Sequence, residues 1–339
     1  MNSRHGSSPL FAAAGALALL AAALLPAACG RPEAPPSDGA AKVLKIAVIP
    51  KGTTHEFWKS IHAGALQAAK ELGVEIIWKG PQKEDDRAQQ ITVVEDVISR
   101  GVDGIVLAPL DDRALVRPVQ DAMRDKIPVV IVDSGLQGKD YISFIATDNY
   151  QGGVLAARRM GGLLTGRARI LVIRYQAGSA STTERERGFL ETIEREFPGL
   201  TLLAKDQYAG PTTETAYQTA ENLLSRFHDA DGLFCPNESS TFGALRAVQE
   251  SGLAGRIRFV GFDSSPKLVQ ALADGHLDGL VLQNPVKMGY LGVRTMVQYL
   301  RGETISQLID TGVALATKDN MSTDEIRMLL TPDLSILER

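Results

Sequence analysis

The segment KIAVIPKGTTHEFWKSIHAGALQAAKELGVEIIWK, residues 45–79, contains the pattern that decides the fold. Two apolar runs, KIAVIP at 45–50 and VEIIWK at 74–79, flank a longer stretch. That stretch has apolar residues at helical spacing, namely Ala63, Leu66, Ala69 and Leu72. A run that is apolar at every position indicates a strand buried on both faces, because alternate side chains point to opposite faces. The segment therefore predicts a β-α-β unit with parallel strands.

The same alternation continues along the chain. Between the runs lie further amphipathic stretches, such as AQQITVVEDVISRG with Ile91, Val94 and Ile98 on one face. The later runs are GIVLAP (104–109), PVVIVD (128–133), SFIAT (143–147), RILVIR (169–174), LTLLAKDQ (200–207), GLFCPN (232–237), IRFVGFD (257–263) and GLVLQN (279–284). We therefore predict an α/β protein with two doubly wound parallel sheets in succession.

Length and charge limit the classes of protein to consider. A chain of 339 residues is longer than one ordinary domain, which agrees with two sheets. The 36 basic and 40 acidic residues give a net charge of -4, without a concentrated basic block. Nucleic acid is therefore not an expected partner.

The first 29 residues predict export. An apolar segment over 10–25 is about 16 residues long, which is short for a membrane span and typical of a signal peptide. The residues before Cys29 look like a bacterial lipobox, which would make Cys29 a lipidated first residue. Leu25 stands four rather than three positions before the cysteine, with Pro26 between them. An ordinary signal peptide and a transmembrane anchor are the alternatives.

The region after Cys29 predicts a tether and no metal centre. Residues 30–42, GRPEAPPSDGAAK, are rich in proline and small polar residues, which are typical of an extended linker. Beyond it only Cys235 remains, within GLFCPN, and we interpret it as a small apolar residue of a buried strand. Nothing in the pattern indicates a metal or another cofactor.

Polar residues directly follow several of the apolar runs, at the carboxyl ends of the predicted strands. They are Lys51, Asp133 and Ser134, Asn237 and Glu238, Asp263, and Gln283 with Asn284. Each alone is explained as a helix cap. Ligands of open parallel sheets bind at this edge, however, and Phe57 and Trp58 follow the first strand. Carboxylates, amides and aromatic rings together indicate a site for a neutral ligand rich in hydroxyl groups.

With these residues in place, the chain from about Lys42 to Leu330 resembles the type I periplasmic solute-binding proteins. The resemblance is to the ribose-binding branch, which shares its fold with the ligand domain of the LacI repressors. It is carried by FW (57–58), IPVVIVD (127–133), ATDNYQGG (146–153), RERGF (185–189), NESSTFGALRAV (237–248), VGFDSSP (260–266) and LQNP (282–285).

The resemblance implies a role for seven residues: Phe57, Trp58, Asp133, Arg185, Asn237, Asp263 and Gln283. The two rings would stack on a sugar, with one packing on its own lobe and the other, or its edge, facing the cleft. Asp133 would hold ring hydroxyls from the first lobe, and Arg185, Asn237 and Asp263 would do so from the second. Gln283 would contribute from the hinge. For Arg185, within TTERERGF, a surface charge is the alternative.

Departures from the family pattern argue against ribose itself. Ala108 and Ser134 stand where ribose binders have Asn and Arg, and the aromatic residue of the second lobe is missing near Pro211. Tyr208 is a candidate to replace it. Since one unmatched buried polar group costs about 1 to 3 kcal/mol, such changes are enough to alter which sugar is accepted.

Two further residues, Lys51 and His55, are candidates for the site. Lys51, in IAVIPK, is similar to a lysine of the branch that binds autoinducer-2, so an inward Lys51 would favour a polyol, a sugar acid or that signal. A solvated Lys51 is the alternative. His55 lies near the mouth of the cleft, where we interpret it as a hydrogen-bonding contact.

The resemblance also implies two hinged lobes. We expect the N-terminal lobe to comprise 43–148 and 284–312, and the C-terminal lobe 149–283 and 313–339. The chain would cross between them three times, near Asp148, near Gln283 and at 311–313. A ligand that bridges both lobes binds the closed state better and shifts the population toward it.

The expected function is the substrate-binding component of an ABC importer for a sugar or polyol. It would be a monomeric lipoprotein of the cell envelope that delivers its ligand to a membrane permease. The alternative is a receptor for autoinducer-2 or another small signal that acts on a sensor or chemoreceptor. The chain lacks G-x-S-x-G, H-E-x-x-H and a phosphate loop, so we do not expect an enzyme.

Overall fold

The first of two six-stranded sheets contains parallel strands only. The computed structural model describes residues 42–338. The strands of this sheet are β1 (Lys45–Ile49), β2 (Glu75–Trp78), β3 (Gly104–Leu107), β4 (Val129–Val132), β5 (Ser143–Ala146) and β11 (Leu308–Asp310). They lie in the order β2-β1-β3-β4-β5-β11.

The second sheet repeats this order and adds one antiparallel edge. Its strands are β6 (Arg169–Arg174), β7 (Thr201–Tyr208), β8 (Gly232–Phe234), β9 (Arg258–Phe262), β10 (Gly279–Leu282) and β12 (Ala314–Ala316). They lie in the order β7-β6-β8-β9-β10-β12, and β12 is antiparallel to β10. We call the two halves the first lobe and the second lobe.

Helices cover both faces of each sheet. In the first lobe, α1 (Glu56–Leu72) and α9 (Pro285–Leu300) form one layer, and α2 (Arg87–Ser99) and α3 (Val116–Arg124) form the other. In the second lobe, α4 (Asn149–Leu163) and α5 (Ala180–Glu196) lie on one face. The opposite face carries α6 (Thr213–Arg226), α7 (Glu238–Glu250), α8 (Pro266–Asp274) and α10 (Asp324–Leu330). Strands apolar on both sides require this double cover.

The chain passes between the sheets three times. It leaves the first sheet after β5, returns after β10 and leaves again between β11 and β12. In addition, a short 3₁₀ helix, Ser335–Glu338, lies against α1. The C-terminal segment therefore runs from α10 in the second lobe back to the first.

The predicted fold class is confirmed. Each of the ten apolar runs coincides with one of the strands β1 to β10, although β7 extends one residue beyond its run, to Tyr208. The edge strands β11 and β12 were not predicted, because each has three residues and lacks an apolar run.

The predicted buried face of α1 was only partly right. The helix is buried most deeply at Ile61, Ala65 and Ala68, which contact the sheet and α9. Leu66 and Leu72, on the predicted face, are half-buried. The prediction misplaced the buried face because α1 packs against both the sheet and α9. Its buried surface is therefore wider than a single stripe of residues.

The predicted buried face of α2 was also only partly right. Ile91 and Ile98 are half-buried, whereas Val93 and Val97 are fully buried with Val94. Cys235 lies in the core of the second lobe, as predicted.

The predicted signal peptide, the lipidation site Cys29 and the tether up to residue 41 lie outside the described residues. Within 42–338, none of the helices is both long enough and apolar enough to cross a bilayer.

Candidate functional site

A cavity of about 30 Å³ lies between the two lobes, at the carboxyl ends of their strands. All seven residues that the resemblance implied for the site line it, together with Lys51 and His55. The remaining lining residues are Glu84, Tyr175, Ser179, Ser181, Thr182 and Glu238. The fold therefore brings together side chains that are up to 232 positions apart, from Lys51 to Gln283 (283 minus 51).

Asp133 and Lys51 form the charged pair of the first lobe. Asp133 follows β4 with φ 63°, a left-handed conformation that Asp tolerates better than most residues. Lys51 Nζ lies 2.8 Å from Asp133 Oδ2 and donates to Ser181 Oγ of the second lobe at 3.1 Å. Lys51 is 3% exposed. The interpretation of Lys51 as a solvated residue was therefore wrong.

Asp263 holds the corresponding place in the second lobe. It follows β9 with φ 65°. Its Oδ1 accepts a hydrogen bond from Gln283 Nε2 at 2.7 Å, and its Oδ2 accepts one from the backbone N–H of Glu238 at 3.0 Å. Burial raises the pKa of Asp263, against the opposing influence of the Arg185 charge. The carboxyl group is thus fixed in place before any ligand contacts it.

Arg185 is a buried charge, so its interpretation as a surface residue was wrong. It is 2% exposed on α5. Nε donates to Asn149 Oδ1 at 2.8 Å, and Nη1 donates to the Pro236 carbonyl at 2.9 Å. The guanidinium lies over the Phe262 ring, 4.7 Å from its centroid. A buried cation needs such partners, and here they aim it at the cleft.

Asn237 combines the two roles considered for strand-end residues. Its side chain caps α7 by accepting from the backbone N–H of Ser240, and its amide nitrogen donates to Ser239 Oγ at 3.1 Å. The same residue lines the cavity. A capping residue is therefore not excluded from the site.

Phe57 and Trp58 both line the cavity and both pack in the core of the first lobe. Their ring centroids are 5.0 Å apart and the rings are nearly perpendicular, at 89°. The prediction that one ring would pack and the other would face the cleft was therefore too simple. Both residues lie in the first turn of α1, and both rings contact the core as well as the cavity.

Glu84 and Tyr175 were missing from the predicted site, and Glu238, although noted at a strand end, was not given a role in it. Tyr175 directly follows the apolar run RILVIR, so a stricter use of the strand-end rule would have included it. Glu84 lies in the polar loop between β2 and α2, where no periodic signal separates it from its charged neighbours. Only the tertiary structure could identify it.

Direct hydrogen bonds hold the lobes together across the cleft. Tyr175 donates to Glu84 Oε2 at 2.6 Å, and the backbone N–H of Phe57 donates to Glu238 Oε2 at 3.0 Å. Ligand pockets commonly measure about 300 to 1,000 Å³, so the cavity of about 30 Å³ between the lobes is much smaller than a usual ligand pocket. A ligand that needs a pocket of the usual size would enter the cleft only after the lobes separate.

Burial and neighbouring charges perturb several titratable groups in the cleft. Burial alone would lower the pKa of His55, but the adjacent Glu84 carboxylate outweighs it and raises that pKa to about 9. Burial would raise the pKa of Glu84, but His55 and Lys51 lower it to about 2. Burial raises the pKa of Glu238 to about 7. At neutral pH, His55 and Glu84 are therefore an ion pair.

Three residues considered for the site lie outside the cavity. Ala108 is in the core, and its carbonyl accepts from Gln90 Nε2 at 2.8 Å. Ser134 does not line the cavity, but its hydroxyl accepts from the backbone N–H of Ser181 at 3.1 Å, across the lobes. Tyr208 is 43% exposed beside Arg174, so the structure does not support it as a replacement aromatic residue.

Several polar atoms at the cavity are buried without a hydrogen-bond partner among the described residues. They belong to Asp133 (Oδ2), Ser179 (Oγ) and Gln283 (Oε1). Asp133 Oδ2 is close to Lys51 Nζ, but as an ion pair without hydrogen-bond geometry. Buried polar atoms are normally satisfied, so these three atoms are available to hydroxyl groups of a ligand.

A wider groove of about 1480 Å³ lies between α1, the crossings and the C-terminal segment. Among the predicted site residues it includes only Gln283. The other convergent charged and amide groups lie in the cleft and not in this groove. In the described part of the chain, no cluster of His, Cys, Asp and Glu could hold a metal ion.

The fold and the site define a two-lobed α/β binding protein with its site in the cleft between the lobes. The profile of the family described as "Periplasmic binding protein domain" matches residues 46–304. The chain belongs to this family.

Its similarity to individual members extends over most of the chain. The ribose import binding protein RbsB of Haemophilus influenzae is 30% identical over 264 residues, 78% of this chain and 88% of that protein. A carbohydrate transporter solute-binding protein of Agrobacterium radiobacter, solved with D-arabinose, is 33% identical with a TM-score of 0.83, covering 86% of this chain and 100% of that one. An ABC transporter solute-binding protein of Agrobacterium vitis, solved with D-fucose, is 35% identical with a TM-score of 0.81, covering 85% and 100%.

Proposed function

We propose that this protein is the substrate-binding component of an ABC importer and captures a monosaccharide or related polyol in its cleft. The observation that carries this proposal is the convergence of Asp133 from one lobe and Asp263 and Arg185 from the other on one buried cavity. Carboxylates and a guanidinium match hydroxyl donors and ring or hydroxyl acceptors. The relatives that bind ribose, D-arabinose and D-fucose support the same ligand class.

The lining suggests how a sugar would be held. Phe57 and Trp58 offer apolar ring surface to the C–H face of a sugar. Asp133 Oδ2, Ser179 Oγ and Gln283 Oε1, which lack a hydrogen-bond partner among the described residues, would accept from its hydroxyls. Because groups of both lobes would contact one ligand, that ligand would favour the closed state.

The remaining parts of the proposal concern the cell. Residues 1–29 would direct export, lipidation of Cys29 would anchor the protein at a membrane, and 30–42 would act as the tether. Lobes of 43–148 with 284–312, and of 149–283 with 313–339, would close around the ligand in a monomer, with the 3₁₀ helix Ser335–Glu338 of the second range lying against α1 of the first lobe. A membrane permease would recognise the closed form.

The test is a thermal-shift screen with D-arabinose, D-fucose, D-ribose, D-allose and polyols, followed by calorimetry. We expect at least one neutral sugar to raise Tm, and Asp133→Ala and Asp263→Ala to abolish that increase while the variants remain folded. Asp121→Asn, at a half-buried residue of α3 outside the cavity, is the control and should respond like the wild type. A screen without any response, or unchanged stabilisation in both Ala variants, would refute the proposal.

A receptor for autoinducer-2 or another small signal is a second candidate function. One observation favours it, namely that Lys51 lies inside the cavity. Adding autoinducer-2 to the same screen separates the two candidates. Binding of that signal, with no response to any sugar, would favour the receptor.

A further inference from the structure

Glu84 lies at the junction of the two lobes. It belongs to the first lobe, in the loop between β2 and α2, and is 6% exposed. Its side chain lines the cleft. A buried carboxylate in a loop requires several partners, and these partners come from both lobes.

From the first lobe, Glu84 Oε1 accepts two hydrogen bonds. Trp58 Nε1 donates at 2.6 Å, and the His55 imidazole donates through Nδ1 at 2.6 Å. The indole N–H bond fixes the orientation of the Trp58 ring, which forms part of the cleft wall. The placement of this ring therefore depends on Glu84.

From the second lobe, two residues in sequence bind the same glutamate. The Tyr175 hydroxyl donates to Oε2 at 2.6 Å, and Gln176 Nε2 donates to the backbone carbonyl at 2.9 Å. Both oxygens of the carboxylate and the carbonyl are thus engaged. The hydroxyl bond can exist only while the lobes are together.

The surroundings are shaped for this carboxylate. A Cβ atom on Gly52 would approach Glu84 Cγ to 2.9 Å, so the glycine leaves the space that the side chain needs. His55 and Lys51 keep Glu84 ionised at neutral pH, with a pKa of about 2. An ionised acceptor makes stronger hydrogen bonds than a neutral one.

We propose that Glu84 is a positioning residue that couples the orientation of Trp58 to lobe closure, with Tyr175 as the closing contact. The inference rests on the proposed function, because it describes how the ring wall of the sugar site is completed. It assigns Glu84 no direct contact with the sugar. The hydrogen bond from Tyr175 to Glu84 is therefore expected to stabilise the closed lobes even without sugar.

The primary test measures amide hydrogen exchange without sugar. The backbone N–H of Asp112 donates to the Gly178 carbonyl at 2.9 Å across the lobes, so its exchange reports opening. Tyr175→Phe removes the hydroxyl alone. The matched control is Tyr290→Phe, which removes a Tyr–Glu bond of 2.7 Å to Glu71 within the first lobe.

In Tyr175→Phe we expect amide exchange at Asp112 to accelerate about 10- to 100-fold. This factor corresponds to the free energy of one hydrogen bond to a charged group. Exchange at Ile105, whose N–H bonds to Pro128 within the first lobe, should stay unchanged. Tyr290→Phe should leave both rates as in the wild type. Equal rates at Asp112 in both variants, or no protection of Asp112 in the wild type, would overturn the proposal.

A spectroscopic test reads the ring directly. The chain has two tryptophans, so a Trp78→Phe background leaves Trp58 as the only source of tryptophan emission. In that background Glu84→Gln should shift the Trp58 emission, because the indole loses its ionised acceptor. Glu71→Gln, the control, should not shift it. An unchanged spectrum in Glu84→Gln would show that the carboxylate does not position the ring.

D-arabinose titration distinguishes the two proposals. If D-arabinose binds the wild type, Tyr175→Phe should weaken the affinity about 10- to 100-fold and Tyr290→Phe should not. If no sugar binds the wild type, the proposed function fails. The exchange and emission measurements, which need no sugar, still decide the role of Glu84.

Discussion

Asp133 and Asp263 occupy equivalent positions in the two lobes. Each follows the fourth strand of its sheet in chain order, with φ 63° and 65°. The backbone N–H of Asp133 donates to the Ile145 carbonyl at 3.0 Å, and that of Asp263 donates to the Val281 carbonyl at 2.8 Å. The same turn in two like sheets thus directs one carboxylate from each lobe toward one cavity.

The left-handed backbone at Asp133 can be tested with two substitutions that both remove the charge. Asp133→Asn should preserve the turn, because Asn tolerates positive φ, whereas Asp133→Val places a β-branched residue there. We expect the free energy of unfolding of the Val variant to be lower by about 1 to 2 kcal/mol than that of the Asn variant. Urea unfolding of both proteins measures the difference. Equal stabilities would mean that the turn relaxes freely.

The role of the Phe57 ring can be separated from its volume. Phe57→Leu keeps an apolar side chain in the core, so the stability cost should stay below about 1.5 kcal/mol. It removes the flat face, and we expect D-arabinose affinity to fall up to about 10-fold. Calorimetry measures the affinity, with Phe144→Leu on β5 as the control, since Phe144 packs on the other face of the sheet. Equal affinities of the two variants would remove Phe57 from the site.

Glu238 should make the protein less stable as pH rises toward neutrality. Its pKa is raised from 4.5 to about 7 in the folded protein, by burial first. The folded state therefore retains a proton that the unfolded state releases, and this contribution is full below pH 4.5 and lost as pH rises to 7. The loss is on the order of 3 kcal/mol.

Urea unfolding of the wild type and Glu238→Gln across pH 4 to 8 checks this. The wild type should lose stability relative to the Gln variant between about pH 4.5 and 7 and then run parallel to it. Parallel curves throughout would contradict the prediction. Glu250→Gln, at an exposed residue of the same helix, is the matched control.

His55 should act in the next pH window. Its pKa is raised from 6.5 to about 9, because the ion pair with Glu84 outweighs burial. Its contribution is full below pH 6.5 and lost as pH rises through 9, by an amount on the order of 3 kcal/mol. His55→Gln should remove this decline, as measured by Tm from pH 6 to 10. A decline that persists in the variant would assign it to another group.

Gly153 is required where α4 meets α5. A Cβ atom there would overlap the carbonyl oxygen of Arg185, so Gly153→Ala should push apart the two helices and displace Arg185. We expect destabilisation of about 1 to 3 kcal/mol and weaker sugar binding. Gly162→Ala, in the same helix with open space, should be neutral or stabilising. Thermal unfolding and titration of both variants provide the comparison.

Much of the fold was predictable because it is encoded locally. The runs at 104–109 and 169–174 are apolar at nearly every position, and this periodicity does not depend on the rest of the chain. The three-residue strands β11 and β12 carry no such signal, because their pairing is decided by neighbouring strands.

The amino-acid sequence by itself determined the alternation of strands and helices, the two sheets and the polar strand ends, including Asp133 and Asp263. Only the tertiary structure decided that Glu84 joins the cleft, that Lys51 turns inward and that Tyr208 stays outside it. The physical reason is that the spacing of apolar residues shows which face of a single strand or helix is buried. The partner of a buried charge can come from a distant part of the chain. Glu84 and Tyr175, for example, lie in different lobes and 91 positions apart.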